Sequence, residues 1–323
     1  NKSLSRACDP EHGPGIRQTT LLMLLTLAQT ANHVRDLILL QDIMPALRTV
    51  LTILGMLKED GDHSEHVDRG VLSLADVIYS VQLIGWLSLC KNAKDDMRVT
   101  GVLQALVTLL SDVDDLVRHV QHESNQTARL SSLLRESVLL ALMHLTLAEQ
   151  NREYITANHA AVLDVMLAHV SMEYMDSEDN SDLQIVHNAV MLLGNMLFSP
   201  KARSELMSRD LTTHCFKTLA LADDIQLQLR ILHVLRLVQS TLDSSHLQSV
   251  IDQGLPPLSA LLSHHNTAVV VQSLACIHDL LRYDLTRQAL PTFLDATVLH
   301  SLSNSADLNI AQLARAVQNI VGL

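Results

Sequence analysis

Two histidine pairs, His264-His265 and His63-x-x-His66, are the residues whose spacing first suggests metal chemistry. Two imidazoles supply half of a tetrahedral zinc shell, and Asp60, Asp62 and Asp68 stand beside the second pair. No matching cluster on a neighbouring rigid helix completes that set, and adjacent histidines on a turn cannot both reach one ion unaided. The stretch DSEDNSD, residues 176–182, starts like a calcium loop but lacks its glycine and distal glutamate. Cys8, Cys90, Cys215 and Cys276 lie far apart with no C-x-x-C pair. Three of them sit in apolar helical runs, so buried, reduced thiols are expected. The chain has no G-x-S-x-G, Walker A, H-E-x-x-H or G-x-G-x-x-G motif. Polar residues within helices are scattered, whereas catalysis needs a nucleophile, a base and oxyanion donors within a few ångströms. We therefore expect no catalytic residue, no metal and no cofactor.

Residues so dispersed must be positioned by an extended framework, and composition says what kind. Of the 323 residues 48% are hydrophobic but only 2% are aromatic, so Leu, Val, Ile, Ala and Met fill the core. Such side chains lose little rotamer freedom in closely spaced helices. Ten glycines and seven prolines are too few for a fold built on many turns. A net charge of −12 disfavours nucleic acid, whose binders show a basic face. The most apolar window, DLILLQDIMPALRTVLTILGML, carries Asp36, Asp42, Arg48 and a central proline. It falls short of the ~18 consecutive apolar residues of a membrane span. Dispersed, reduced thiols fit a cytosolic or nuclear compartment, and a cytoplasmic one is expected.

The framework is a repeat. Similar stretches begin at Ile16, Asp76, Leu133, Leu183, Ile225 and Thr267, and a final helix starts at Leu308. Each copy reads as a long helix, a polar break, a short helix and a medium helix ending in a polar turn. Apolar residues recur at i, i+3, i+4 and i+7 within the helices. Corresponding points are Thr26, Ser88, His144, Asn195, Arg236, Asp279 and Asn319. The last four recur about every 40 residues, the period of armadillo and HEAT arrays. Earlier copies are further apart because polar insertions separate them, at 58–70, 112–129 and 171–182. All three fall between second and third helices, along one edge. His264-His265 then sits where other copies carry a polar turn, with Asn266 or Thr267 as the cap of the next helix.

The stretch VIDQGLPPLSALLSHHNTAVVVQSLACIHDLL resembles an armadillo repeat, with a small linker, a Pro-containing second helix and a long third helix. HNAVMLLGNML and LARAVQNIVGL echo the family's ALxNL-like ending through Asn195 and Asn319. The resemblance implies an all-α, right-handed α-solenoid of the armadillo (ARM/HEAT-like) superfamily. Residues 1–15 are expected as a linker or cap and 16–323 as a single repeat domain. In that family an asparagine of the third helix often holds the backbone of an extended peptide, with a tryptophan one turn earlier. The resemblance thus points to Ser88, His144, Asn195, Arg236, Asp279 and Asn319 as lining a partner-binding groove. Positions one turn earlier are Leu22, Ile84, Leu140, Met191, Leu232, Ala275 and Arg315, an aliphatic strip without tryptophan. Trp86 falls at a core-facing position. The implied function is a non-enzymatic adaptor that docks a peptide or amphipathic helix of a partner protein along a concave groove. By analogy, cytoplasmic cell-polarity, cytoskeletal and centrosomal complexes, some cortex-associated, are its expected homes. The alternative is a solenoid that self-associates as a homodimer.

Overall fold

A computed structural model describes residues 14–59, 73–120, 125–171 and 180–322, and every regular element among them is helical. Cys8, the His63–His66 pair with its aspartates, and most of the DSEDNSD stretch lie outside the described residues. Two compact units emerge: Asn1–Val165 with Asp179–Asn188, and Met166–Glu178 with Ala189–Leu323.

Unit 1 contains α1 (Pro14–Thr30), α2 (Asn32–Leu39), α3 (Met44–Glu59) and α4 (Leu74–Leu87). It continues through α5 (Ala93–Val99), α6 (Val102–Val120), α7 (Asn125–Leu145), α8 (Glu149–Asn158) and the start of α9 (Val162–Val170). Third helices stack on one another, α1 on α4 and α4 on α7, while the second helices α3 and α6 pack together. The segment expected as an insertion at 112–129 is largely helical: α6 runs on to Val120, and α7 begins at Asn125. Ser73 and Asp76 cap α4 reciprocally, each side chain accepting from the other's backbone N–H. The same Asp76 carboxylate meets Arg17 at 2.8 Å in an ion pair with no exposed side-chain surface.

Unit 2 holds the second half of α10 (Asn180–Met196), whose first half belongs to unit 1, then α11 (Pro200–Met207), α12 (Leu211–Leu221) and α13 (Ile225–Val238). After it come α14 (Ser244–Ser249), α15 (Leu255–Ala260), α16 (Thr267–Leu280), α17 (Asp284–Ala289), α18 (Ala296–Ser303) and α19 (Leu308–Val321). Again the third helices stack, α13 on α16 and α16 on α19. Each starts on a short polar cap: Asp224 accepts from Leu227 N–H, Asn266 from Ala268 and Val269, Asp307 from Asn309 and Ile310. Such a cap is worth about 1 kcal/mol. His264 belongs to the same turn, its Nδ1 accepting from the Asn266 N–H at 3.0 Å. Between α14 and α15 the chain does not break but widens into a π-helical turn, Val250–Gly254. Gly254 is required there, because a Cβ would lie 2.6 Å from the Phe216 ring.

One device recurs in both units. A helix leaves its last carbonyls without donors, and an arginine from the following first helix supplies them. Arg35 Nε donates to Ala28 O at 2.7 Å, and Arg152 Nη1 to Thr146 O at 2.8 Å. Arg203 Nη2 reaches Leu197 O at 2.8 Å, and Arg287 Nη2 reaches Leu281 O at 3.0 Å. A cation at a helix C-terminus also opposes the negative end of the macrodipole.

Candidate partner-binding surface

A third helix gives one stripe to the core, so its register decides which side chains a partner can touch. In α4, α7, α10, α13 and α16 the stripe closes on two adjacent buried residues. These pairs are Leu87-Ser88, Leu145-Thr146, Met196-Leu197, Val238-Gln239 and Leu280-Leu281. Just before each pair stand Trp86, His144, Asn195, Leu237 and Asp279. His144, Asn195 and Asp279 share that register, and Arg236 lies one residue ahead of it. Ser88 is a member of the buried pair. It has no exposed surface, and its hydroxyl donates to Gly85 O at 2.7 Å. Ser88 therefore belongs to the core and not to a binding face. Trp86 takes its place, half-buried, with the Arg35 guanidinium 5.0 Å from its ring centroid.

In unit 1, His144 is half-buried and its Nδ1 donates to the same Gly85 carbonyl at 3.0 Å. That carbonyl lies in the last turn of α4, so His144 ties one third helix to the end of the previous one. Burial pushes the imidazole pKa down, opposed in part by this hydrogen bond. The ring is thus kept neutral with its proton on Nδ1. On α1, Leu22, Met23 and Leu27 are 47%, 48% and 41% exposed.

In unit 2, Arg236 and Asp279 come together across α13 and α16. Arg236 Nε lies 3.4 Å from Asp279 Oδ2, and its Nη1 donates to Gln272 Oε1 at 3.0 Å. Arg282 Nη2 and His278 Nδ1 each lie 3.8 Å from Asp279 Oδ1. Asn195 on α10 is half-buried, and Asn319 on α19 is exposed. The aliphatic strip divides: Leu232 in this unit and Ile84 in unit 1 are fully buried, while Met191 is exposed. The first two pack the core, because they fall on the inward stripe of their helices. Burial pushes the Cys215 thiol up to about 12 and raises Cys276 as well. Both remain protonated and unreactive. Among the described residues no group of three or more His, Cys, Asp or Glu is placed to hold a metal. No single helix among them is long and apolar enough to cross a membrane.

The stacked three-helix repeats are similar to those in a structure from the cadherin–β-catenin system, in which a phosphorylation switch controls the interaction of those two proteins. The TM-score is 0.69 at 14% identity, over 99% of this chain and 55% of that one. The chain has the armadillo-repeat fold. A designed armadillo-repeat protein in complex with the peptide (KR)4 is also similar, with TM-score 0.59 and 13% identity over 86% of this chain and 99% of that one. An engineered protein matches at TM-score 0.60 and 14% identity, covering 85% of this chain and 96% of that one. No protein-family model and no curated protein sequence matches the chain. The third helices of unit 1 present Trp86 and His144, and those of unit 2 present Asn195, Asn319 and a charged cluster around Asp279.

Proposed function

We propose that this armadillo solenoid is a non-enzymatic scaffold that holds a peptide or helical segment of a partner protein on its third helices. The observation that carries the reading is the Arg236–Gln272–Asp279 cluster, in which side chains of neighbouring third helices meet at the surface. Groups so placed can hydrogen-bond a chain laid across successive repeats, as Asn195 and Asn319 can. The three described cysteines are free and buried. That supports a reducing cytoplasmic setting, where we place the scaffold in a cell-polarity, cytoskeletal or centrosomal complex. The test is affinity purification with mass spectrometry, wild type against Asn195→Ala/Arg236→Ala/Asn319→Ala. Partners recovered by wild type and lost by the folded variant support the reading. Identical recovery overturns it.

The exposed Leu22, Met23 and Leu27 of α1 favour a second reading, in which that helix face self-associates into a dimer. Light scattering decides this one: a monomer at all concentrations removes it.

A further inference from the structure

The chain carries a net charge of −12, yet beyond their capping residues Asp224, Asn266 and Asp307 the third helices of unit 2 have the opposite balance. Helix α13 holds Arg230, His233 and Arg236 with no acidic residue, and α19 holds Arg315 with none. Helix α16 contributes His278 and Asp279, and Arg282 stands two residues past its end. Asp279 is thus the sole acidic side chain within α13, α16 and α19.

Its surroundings make the excess positive charge accessible. The single carboxylate is shared between Arg236 at 3.4 Å and Arg282 at 3.8 Å, with His278 also at 3.8 Å. One negative charge against two permanent positive ones leaves at least one unbalanced cation. The exposures are ordered accordingly: Arg236, Arg282 and His278 side chains are 40%, 46% and 41% exposed, Asp279 only 29%. An approaching chain therefore meets guanidinium groups before it meets the carboxylate. Exposed ion pairs at these separations are weak and exchange readily for a better-aligned acceptor. A guanidinium presents several donors in a planar fork that fits a carboxylate bidentately.

From this we infer that the α13–α16 face of unit 2 binds a Glu/Asp-rich segment of the partner, with Arg236 and Arg282 each taking a carboxylate. The inference rests on the scaffold reading above and adds the chemistry of the partner. Charge complementarity of this sort selects partners and speeds their encounter. Here it is also selective within the protein, because an acidic chain is repelled by the negatively charged remainder.

The test uses the whole chain and two short fluorescein-labelled peptides of equal length, one alternating Glu and Ser, the other Lys and Ser. Binding is followed by fluorescence anisotropy at about 0.05 M and about 0.3 M NaCl, since exposed charges are screened over a few ångströms at high salt. The Glu peptide should bind saturably, more weakly in salt. It should lose about tenfold or more in affinity to Arg236→Glu/Arg282→Glu, as expected for lost charge-assisted hydrogen bonds. Asp279→Asn removes the competing carboxylate and should tighten binding several-fold, a change of opposite sign that does not depend on the double variant folding. The inference is overturned if the Glu peptide fails to bind, or binds the folded double variant undiminished, or weakens with Asp279→Asn. If affinity purification still recovers partners through the third helices while the Glu peptide fails, only the acidic chemistry is wrong. If it recovers none, the scaffold reading itself has fallen.

Discussion

Arg236 is held at the surface by two residues of its own chain, Asp279 and Gln272, and its side chain is 40% exposed. Exposed pairs of this kind contribute about 0–1 kcal/mol. Arg236→Glu should therefore leave the protein folded, with a loss below about 1 kcal/mol in chemical denaturation. Unfolding of that variant would make Arg236 a structural ion. His144 behaves differently, because burial depresses its pKa and the unfolded chain takes up the proton first. Its contribution is complete above the ordinary histidine value of about 6.5 and is lost as pH falls through the lower folded-state value. His159 shifts in the same direction through burial. Melting temperatures measured from about pH 8 to about pH 5 should fall, and fall less steeply in His144→Gln. Equal slopes would remove His144 from the pH response. At this scale the site was only partly legible. The Arg236–Asp279 neighbourhood follows from repeat spacing, but the depth of Ser88 does not. A serine at a helix end can satisfy its hydroxyl on its own backbone, here Gly85 O, and then enter the core. Trp86, read as a packing residue, is half-buried against the Arg35 guanidinium.

Helix ends in this protein are closed by side chains from the next helix, and those closures set the shape of a repeat. Arg287 donates through Nε and Nη2 to Leu281 O, at 3.2 and 3.0 Å. Arg287→Ala should cost about 1–3 kcal/mol, the penalty for stranding a partly buried acceptor. Faster amide exchange at the end of α16 would accompany it, and an unchanged denaturation midpoint would contradict it. Gly254 is constrained more tightly, with the Phe216 ring occupying the space of a Cβ. Gly254→Ala should destabilise by about 1–3 kcal/mol through overpacking. Phe216→Leu in the same chain should recover part of that loss, which a double-mutant cycle would detect. The elements themselves were largely readable from apolar periodicity and polar caps, Asn266 above all. Segment 112–129 was not, because its charges mask an apolar series at Val113, Leu116, Val117 and Val120. That spacing is helical, and α6 continues through it. The π-helical turn at Val250–Gly254 leaves no signature in periodicity, since it alters the phase by a fraction of a turn.

Stability in a repeat protein is approximately a sum of terms within repeats and between neighbours. Ending the chain after His264 removes α16 to α19, and with α16 and α18 goes the cover over Leu255, Leu258, Leu261 and Leu262, all buried. The 1–264 fragment should aggregate in size-exclusion chromatography, whereas a soluble monomer would show that this end needs no cover. The repeat architecture was legible because the same stripe of Leu, Val and Ile returns in every copy. The division into two units was not, because no change of composition marks it. That division acquires a practical meaning through Trp86, the one tryptophan of the chain, which lies in unit 1 beneath the Arg35 guanidinium. Intrinsic emission excited at the indole band therefore reports on unit 1 and is blind to unit 2, whereas far-ultraviolet ellipticity counts helices in both. A denaturant titration followed by the two signals together becomes a two-channel recording, and any gap between their midpoints measures how independently the units melt.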